Sequence, residues 1–374
     1  MRIAITGASG LLGWHTASHL HSLNCAAVYA GNPKPHELVE ITHKSFDDPD
    51  ILIHLLGGVD AIIHYAGVNR GPEDHVATAN PEIARQLVQA CIKAKVKPAI
   101  VYANSIHAQY DTTAYGRSKR QAGEILEAFA ERYTDLVLPH IFGEHAKPHY
   151  NNVTATLIDA LYTRVIPEIN PQGKVNLLHA GEAADIALRA VFEQVTGTIN
   201  PPSRELAIDE LYEKLKGFQD LYNNNIFPDV SDPLDLQLFN TYRSAGFPAS
   251  DPRKLIVHKD SRGTLFETTK GGRDSQTFVS TTAPGITRGD HFHINKIERF
   301  LVLQGEAVIR LRKVLTDEIY EFKVSGKTPV AVDIIPLYTH SIENTGDSIL
   351  YALFWTHEMH NPDASDTYAD TVLR

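Results

Sequence analysis

The chain has 374 residues, more than most single hydrophobic cores hold, so two domains are expected. Its hydrophobic and charged fractions, 43% and 21%, are those of an ordinary globular protein, and no apolar run approaches the length of a membrane span. A formal net charge of −10 disfavours nucleic acid as a partner and leaves any phosphorylated ligand dependent on local arginines and lysines. Cys25 and Cys91 sit in apolar surroundings and read as buried thiols of a reducing compartment. A strand begins at once, which leaves no place for a signal peptide and points to the cytoplasm.

In chain order, short apolar runs alternate with amphipathic helical stretches, the pattern of a parallel sheet wrapped by helices. Strands are predicted at 2–6, 26–30, 60–65, 99–103 and 136–138, and helices at 11–23 and 80–95. Two further helices are expected at 206–222 and 235–245, and a Pro/Ser/Asp stretch near 247–252 marks the domain boundary. This gives an N-terminal domain over 1–246, including a helical substrate region, and a second domain over 247–374. From residue 254 onward the text is short strands separated by turns: 255–258, 278–282, 300–304, 307–311, 318–323, 330–334 and 350–355. The expected fold class is a Rossmann-type doubly wound α/β sheet followed by an all-β jelly-roll barrel.

Gly7-Ala8-Ser9-Gly10-Leu11-Leu12-Gly13 follows the first strand and opens the first helix. In that context glycines permit a tight turn and let the backbone approach a pyrophosphate at a helix N-terminus. Tyr115 and Lys119 stand one helical turn apart on one face. The ammonium and a nicotinamide charge are expected to lower the phenol below its usual ~10, so that Tyr115 exchanges a proton while hydride moves. The expected second strand ends Val28-Tyr29-Ala30-Gly31-Asn32 without the carboxylate an NAD site prefers, so Asn32 and Lys34 are expected to meet a ribose phosphate, favouring NADPH.

The GxxGxxG spacing, Asp60-Ala61-Ile62-Ile63-His64-Tyr65-Ala66-Gly67 and Tyr115-Gly116-Arg117-Ser118-Lys119 together resemble the extended short-chain dehydrogenase/reductase family. The resemblance covers about the first two-thirds of the chain. It implies that Ala66 and Gly67 border the cofactor and that Ser105 hydrogen-bonds the reacting oxygen. Sugar-nucleotide dehydratases of that family carry Asp-Glu after the serine position. Here Asn104-Ser105-Ile106-His107 stands instead, which disfavours dehydration. Lys147 and Arg117 fall where such enzymes bind the diphosphate of a nucleotide sugar.

Gly285-x5-His291-x-His293-x4-Glu298-x6-Gly305 resembles the first cupin motif in full, and Pro336-x3-His340-x3-Asn344 the second, without its usual glycine. Alternate residues of a strand share a face, so His291 and His293 can converge on one ion, with Glu298 and His340 completing the set. Three imidazoles and a carboxylate suit several divalent metals; zinc is expected, because polarising a ketone calls for a Lewis acid without redox change.

A reductase followed by a metal-binding barrel, with the ending Asn361-Pro362-Asp363…Asp366-Thr367-Tyr368, resembles the CapF-type bifunctional enzymes of UDP-N-acetyl-L-fucosamine synthesis along essentially the whole chain. The resemblance implies a UDP-4-keto-6-deoxy-N-acetylhexosamine substrate, epimerised at carbon 3 by the cupin and then reduced at carbon 4 with NADPH. It also implies a homodimer. A reductase whose cupin is only structural is the competing expectation. The proton-transfer residue of the cupin is not identified by these residues.

Overall fold

The computed structural model describes residues 1–110, 112–261, 263–271, 275–361 and 365–374. Its chain forms two compact units, one of residues 1–156 with 169–208 and the other of 157–168 with 209–374.

The first unit is built on β1 (Arg2–Thr6), β2 (Glu37–Ile41), β3 (Ala61–His64), β4 (Ala99–Ser105) and β5 (Tyr133–Leu138). These lie in the parallel order β2-β1-β3-β4-β5, with the strand Gly197–Ile199 at the far edge. The order reverses at β1, which opens a crevice at the strand C-termini where such sheets bind ligands. The helices include α1 (Leu11–Tyr29), α2 (His43–Asp47), α3 (Pro49–Leu56), α4 (Glu73–Lys93) and α5 (Ala114–Phe129), with Ala180–Phe192 further along the chain. Both faces of the sheet are covered by helices, so its central strands β1, β3 and β4 are almost wholly buried and their successive residues enter opposite cores. Ile3, Ile63 and Val101 enter one core with Leu20 of α1 and Leu188. Ala4, Ile62 and Ile100 enter another with Leu87 of α4 and Leu126 of α5.

One predicted strand is corrected. Residues 26–30 are not β2: Ala26 to Tyr29 are the last turn of α1, which runs 19 residues. Alanine is the strongest helix former, and the two β-formers there, Val28 and Tyr29, are 50% and 85% exposed and pack nothing. The true second strand, Glu37–Ile41, buries Val39 and Ile41. Helix α4 also begins at Glu73, ahead of the expected residue 80.

The second unit is largely β-structure, accompanied among the described residues by the helices Ile208–Asn223 and Pro233–Gly246 and most of the helix Val153–Thr163. One antiparallel sheet has the order Arg253–Lys254, Val330–Ile334, Glu298–Gln304, Leu350–Thr356, Gln276–Thr282. The other runs Ile319–Ser325, Glu306–Lys313, Tyr338–Asn344, Thr287–Phe292, Tyr368–Ala369. Phe300, Val332, Ile309, Phe322 and Ile342 from both sheets form one core, as in a double-sheet barrel. The helices Ile208–Asn223 and Pro233–Gly246 group with this barrel, so the structural division precedes the boundary expected at 246/247. The reason is a buried polar seam: the Tyr222 hydroxyl donates to Asp333 at 2.5 Å, Asn240 to the Asn295 carbonyl at 2.8 Å, and Arg243 to the Ile334 carbonyl at 3.2 Å. Neither cysteine is in a disulfide; Cys25 is only half-buried, with its Sγ 3.4 Å from His21 Nε2, whereas Cys91 is buried and burial pushes its thiol up to about 12. Among the described residues no helix is long and apolar enough to cross a membrane.

Candidate active sites

The glycine loop sits where β1 ends. Gly7 has φ +67°, and a Cβ on it would meet the Ala66 amide nitrogen at 3.1 Å. A Cβ on Gly13 would lie 2.1 Å from the Gly7 carbonyl oxygen, so the loop closes only with hydrogen at both positions. The Gly10 N–H donates to the Gly7 carbonyl at 2.9 Å, and Gly10 opens α1 with no side-chain cap. Exposed Ser9 and half-buried Leu11 and Leu12 form the rim of this turn. Opposite, Thr6 Oγ1 accepts from the Tyr65 and Ala66 amides, both at 3.1 Å, which ties the end of β3 to the loop. The Ala66-Gly67 turn is held in turn by Asn80, which accepts from the Val68 amide at 2.8 Å and donates to its carbonyl at 2.9 Å. Gly7, Gly13, Ala66 and Gly67 thus lie together at the N-terminus of α1, the kind of place where a phosphate is favoured.

Asn32 and Lys34 are not part of it. They lie beyond the C-terminus of α1, in the connection that enters β2 beside Met1; the Met1 amino group donates to the Pro35 carbonyl at 3.0 Å. That is the opposite end of the sheet from the glycine loop. The residues that do follow β2 are Thr42, His43 and Lys44, again without a carboxylate.

Ser105 ends β4, and Tyr115 and Lys119 lie in the first turns of α5, which starts where Thr113 caps the Gly116 amide at 3.0 Å. The turn Ile106–Gln109 packs so closely on α5 that a Cβ on Gly116 would be 2.2 Å from the His107 carbonyl oxygen. The side chains of Tyr115 and Ser105 are hydrogen-bonded. Burial pushes the Tyr115 hydroxyl above its usual value, and the Ser105 bond pulls it back. The lowering expected from Lys119 is not what the polypeptide alone produces. Lys119 is buried, donates from Nζ to the Ala103 carbonyl at 2.5 Å and lies 4.0 Å over the Tyr102 ring. Desolvation brings its ammonium down to about 7, opposed by the charge of Asp135.

In the barrel, His291, His293, Glu298 and His340 each offer a ligand atom, and these atoms lie within 4.8 Å of one another. His291 and His340 are cross-strand partners, and the ladder slips at Asp290, where φ is 57°. His293 follows the end of its strand, and Glu298 opens the next one. Leu337, with φ 61°, makes the turn before His340 that the missing glycine put in doubt. A branched side chain in that conformation costs roughly 1–2 kcal/mol, which the hydrogen bond donated by the Leu337 N–H to the His293 carbonyl at 2.8 Å helps to offset.

The donor set fits a metal. Nδ1 of His340 faces the Tyr338 carbonyl at 3.2 Å, Nδ1 of His293 faces that of Asp366, and His291 is bonded to the Gly289 backbone. These contacts orient the other ring nitrogens inward. The Nε2 atoms of His293 and His340 are buried, 3.0 and 3.3 Å from Glu298 Oε2, yet are not aligned to hydrogen-bond it. Burial, then the neighbouring imidazoles, lower His291 to about 3, in the neutral form that ligates. Glu298 falls well below its usual range, because His293 and His340 outweigh its desolvation.

Sequence reasoning missed one supporting residue. The Asp366 carboxylate accepts from the amides of Ile294, Asn295 and Lys296 at 2.8, 2.7 and 2.8 Å, pinning the loop between two ligands from 70 positions away. Its place in the tail gave no chemical signal in one dimension. Of that tail, Pro362 and Asp363 lie outside the described residues. Lys147 and Arg117 are both exposed, one in the loop after the strand His140–Phe142 and one on α5.

Residues 3–200, over half of the chain, match the NAD dependent epimerase/dehydratase family. The chain belongs to this family. Residues 258–368 match the polysaccharide biosynthesis C-terminal domain. Across its full length the chain is 30% identical to the UDP-2-acetamido-2,6-beta-L-arabino-hexul-4-ose reductase of Pseudomonas aeruginosa, covering 99% of that protein. Among solved structures it resembles the capsular polysaccharide assembling protein CapF from Staphylococcus aureus, at 31% identity and TM-score 0.61 with both chains fully covered. CapF bound to the inhibitor 3-isopropenyl-tropolone aligns equally completely, at 27% identity and TM-score 0.57.

Proposed function

We propose that this chain is a bifunctional nucleotide-sugar enzyme. The barrel epimerises carbon 3 of a UDP-2-acetamido-2,6-dideoxy-4-hexulose, and the N-terminal domain then reduces the carbon 4 ketone. The product is UDP-N-acetyl-6-deoxy-L-talosamine, for UDP-N-acetyl-L-fucosamine and capsule or O-antigen synthesis; a homodimer in the cytoplasm follows from the same reading. The observation that carries it is one chain holding both the Ser105–Tyr115 pair beside Lys119 and a separate three-histidine, one-carboxylate cluster. The full-length likeness to a 4-ketose reductase supports the substrate class.

Gly7, Ser9, Gly10, Leu11, Leu12, Gly13, Ala66 and Gly67 would hold the cofactor, and His43 and Lys44 replace Asn32 and Lys34 as the basis for NADPH. NADPH supplies the hydride. Ser105 orients the ketone oxygen, Tyr115 gives it a proton, and Lys119 stabilises the phenolate left behind. His291, His293, Glu298 and His340 would hold a divalent ion, zinc by ligand chemistry, which supplies a Lewis acid for charge developing on the ketone oxygen. Epimerisation needs the ketone, so it comes first. A reductase with a structural barrel is the second reading, favoured by the relative's name, which states reductase activity alone.

The test is NADPH oxidation by the purified protein. Turnover that depends on the UDP-4-keto sugar supports the proposal; a protein that leaves NADPH intact with that sugar contradicts it.

A further inference from the structure

Lys119 lies in a box of mostly uncharged groups. Its Nζ lies over the Tyr102 ring on β4, Tyr115 stands one helical turn before it on α5, and His64 on β3 and Asp135 on β5 act on it electrostatically. The side chain reaching in from α4 is the neutral Asn80, which donates to Ser118 Oγ at 2.9 Å. His64 is kept uncharged, lowered to about 3 by burial and by the Lys119 ammonium. The anion that acts on Lys119 is Asp135.

Its placement is built rather than incidental. Asp135 is the β5 partner of Tyr102 on β4, so it shares a face with the ring under the ammonium. Its Oδ1 accepts from Asn104 Nδ2 at 2.9 Å and from the Tyr133 hydroxyl at 3.2 Å. Asn104 Oδ1 accepts from the Ser105 amide at 2.9 Å. One amide side chain therefore links Asp135 to the backbone of the serine that bonds Tyr115. Asp135 also lines a cavity of about 300 Å³ with Asn104, Ser105, Glu124 and Glu127. Both glutamates are exposed, whereas Asp135 is half-buried.

We infer that Asp135 is a positioning residue of the reductase centre: from the wall of this cavity it holds Lys119 as the ammonium that Tyr115 needs behind it. This rests on the assignment of Tyr115 and Lys119 to ketone reduction. When the Tyr115 O–H bond breaks and its proton goes to the reduced oxygen, a phenolate remains, and only a charged lysine stabilises it. Removing the Asp135 charge takes away what opposes desolvation, so Lys119 turns neutral at lower pH.

The experiment is Asp135→Asn, read two ways: a lysine-selective ¹⁵N NMR titration of Lys119 in the protein alone, and the pH profile of kcat for NADPH-dependent reduction. Both the Lys119 titration and the basic limb of kcat are expected about one pH unit lower, with about tenfold lower kcat above the limb and KM little changed. Asp135→Glu restores the limb, and Glu124→Gln or Glu127→Gln leave it in place. An unmoved titration in Asp135→Asn, or an equal shift in Glu124→Gln, overturns the inference. Should Asp135→Asn not fold, Asp135→Ser takes its place and is read in the same two ways, an unmoved Lys119 titration again overturning the inference. Activity surviving in Lys119→Met would instead break the reductase assignment, leaving the NMR result to judge Asp135 separately.

Discussion

At the N-terminal centre one buried ammonium faces a single carboxylate across a tyrosine ring, and desolvation holds Lys119 near neutrality. In the barrel three imidazoles crowd one carboxylate, and their second nitrogens are fixed by backbone carbonyls. The first arrangement leaves protons free to move at Tyr115. The second holds four donor atoms in fixed positions around one point. Burial by itself is therefore ambiguous: it tunes an acid where one counter-charge is offered, and builds a ligand set where several donors converge.

The widest separation of the two sites comes from Tyr115→Phe. Reduction is expected to fall about a thousandfold, while proton exchange at carbon 3 continues in the barrel. Loss of both activities would mean that the centres are not independent. Asp366→Ala frees the loop between His293 and Glu298, and metal affinity is expected to drop about ten- to a hundredfold by competition with a chromophoric chelator. Unchanged affinity would reduce Asp366 to a bystander.

Cofactor choice sharpens the first half of the comparison. Lys44→Ala is expected to raise the NADPH KM about tenfold and leave that for NADH alone, whereas Lys34→Ala changes neither. An effect of Lys34 would restore the strand assignment that the structure replaces. The smallest effect is on stability. Folding lowers the Lys119 pKa from its usual value to about 7, so the unfolded chain holds more protons between those values. The penalty is full below about 7 and gone above about 10.5, so Lys119→Met should raise Tm by a few degrees at pH 6 and by nothing at high pH. A constant Tm difference across that range would show that the gain is packing, not charge.

Local motifs were legible and long-range supports were not. The glycine loop and the Tyr115/Lys119 pair are contiguous, so spacing alone located them. The histidines and glutamate of the barrel cluster were also named together from spacing, although two of their strands, Thr287–Phe292 and Tyr338–Asn344, are so polar that no apolar alternation betrays them. The second strand was misplaced because an alanine-rich helix end and a Glu-interrupted edge strand look alike in a short window. Asp135 and Asp366 are unremarkable in sequence. Each acquires its role only when β5 pairs with β4, or when the tail returns to the strand Thr287–Phe292.

The most direct test of the two-step account is to run the reaction in D2O with NADPH and a UDP-4-keto-6-deoxy-N-acetylhexosamine made in situ by a dehydratase. Mass and NMR spectra of the product then locate the deuterium. Carbon-bound deuterium at carbon 3, absent in His291→Ala, is the predicted result and establishes a barrel epimerase that feeds the reductase. Reduced product without that deuterium would contradict the account, leaving a reductase beside a structural metal site.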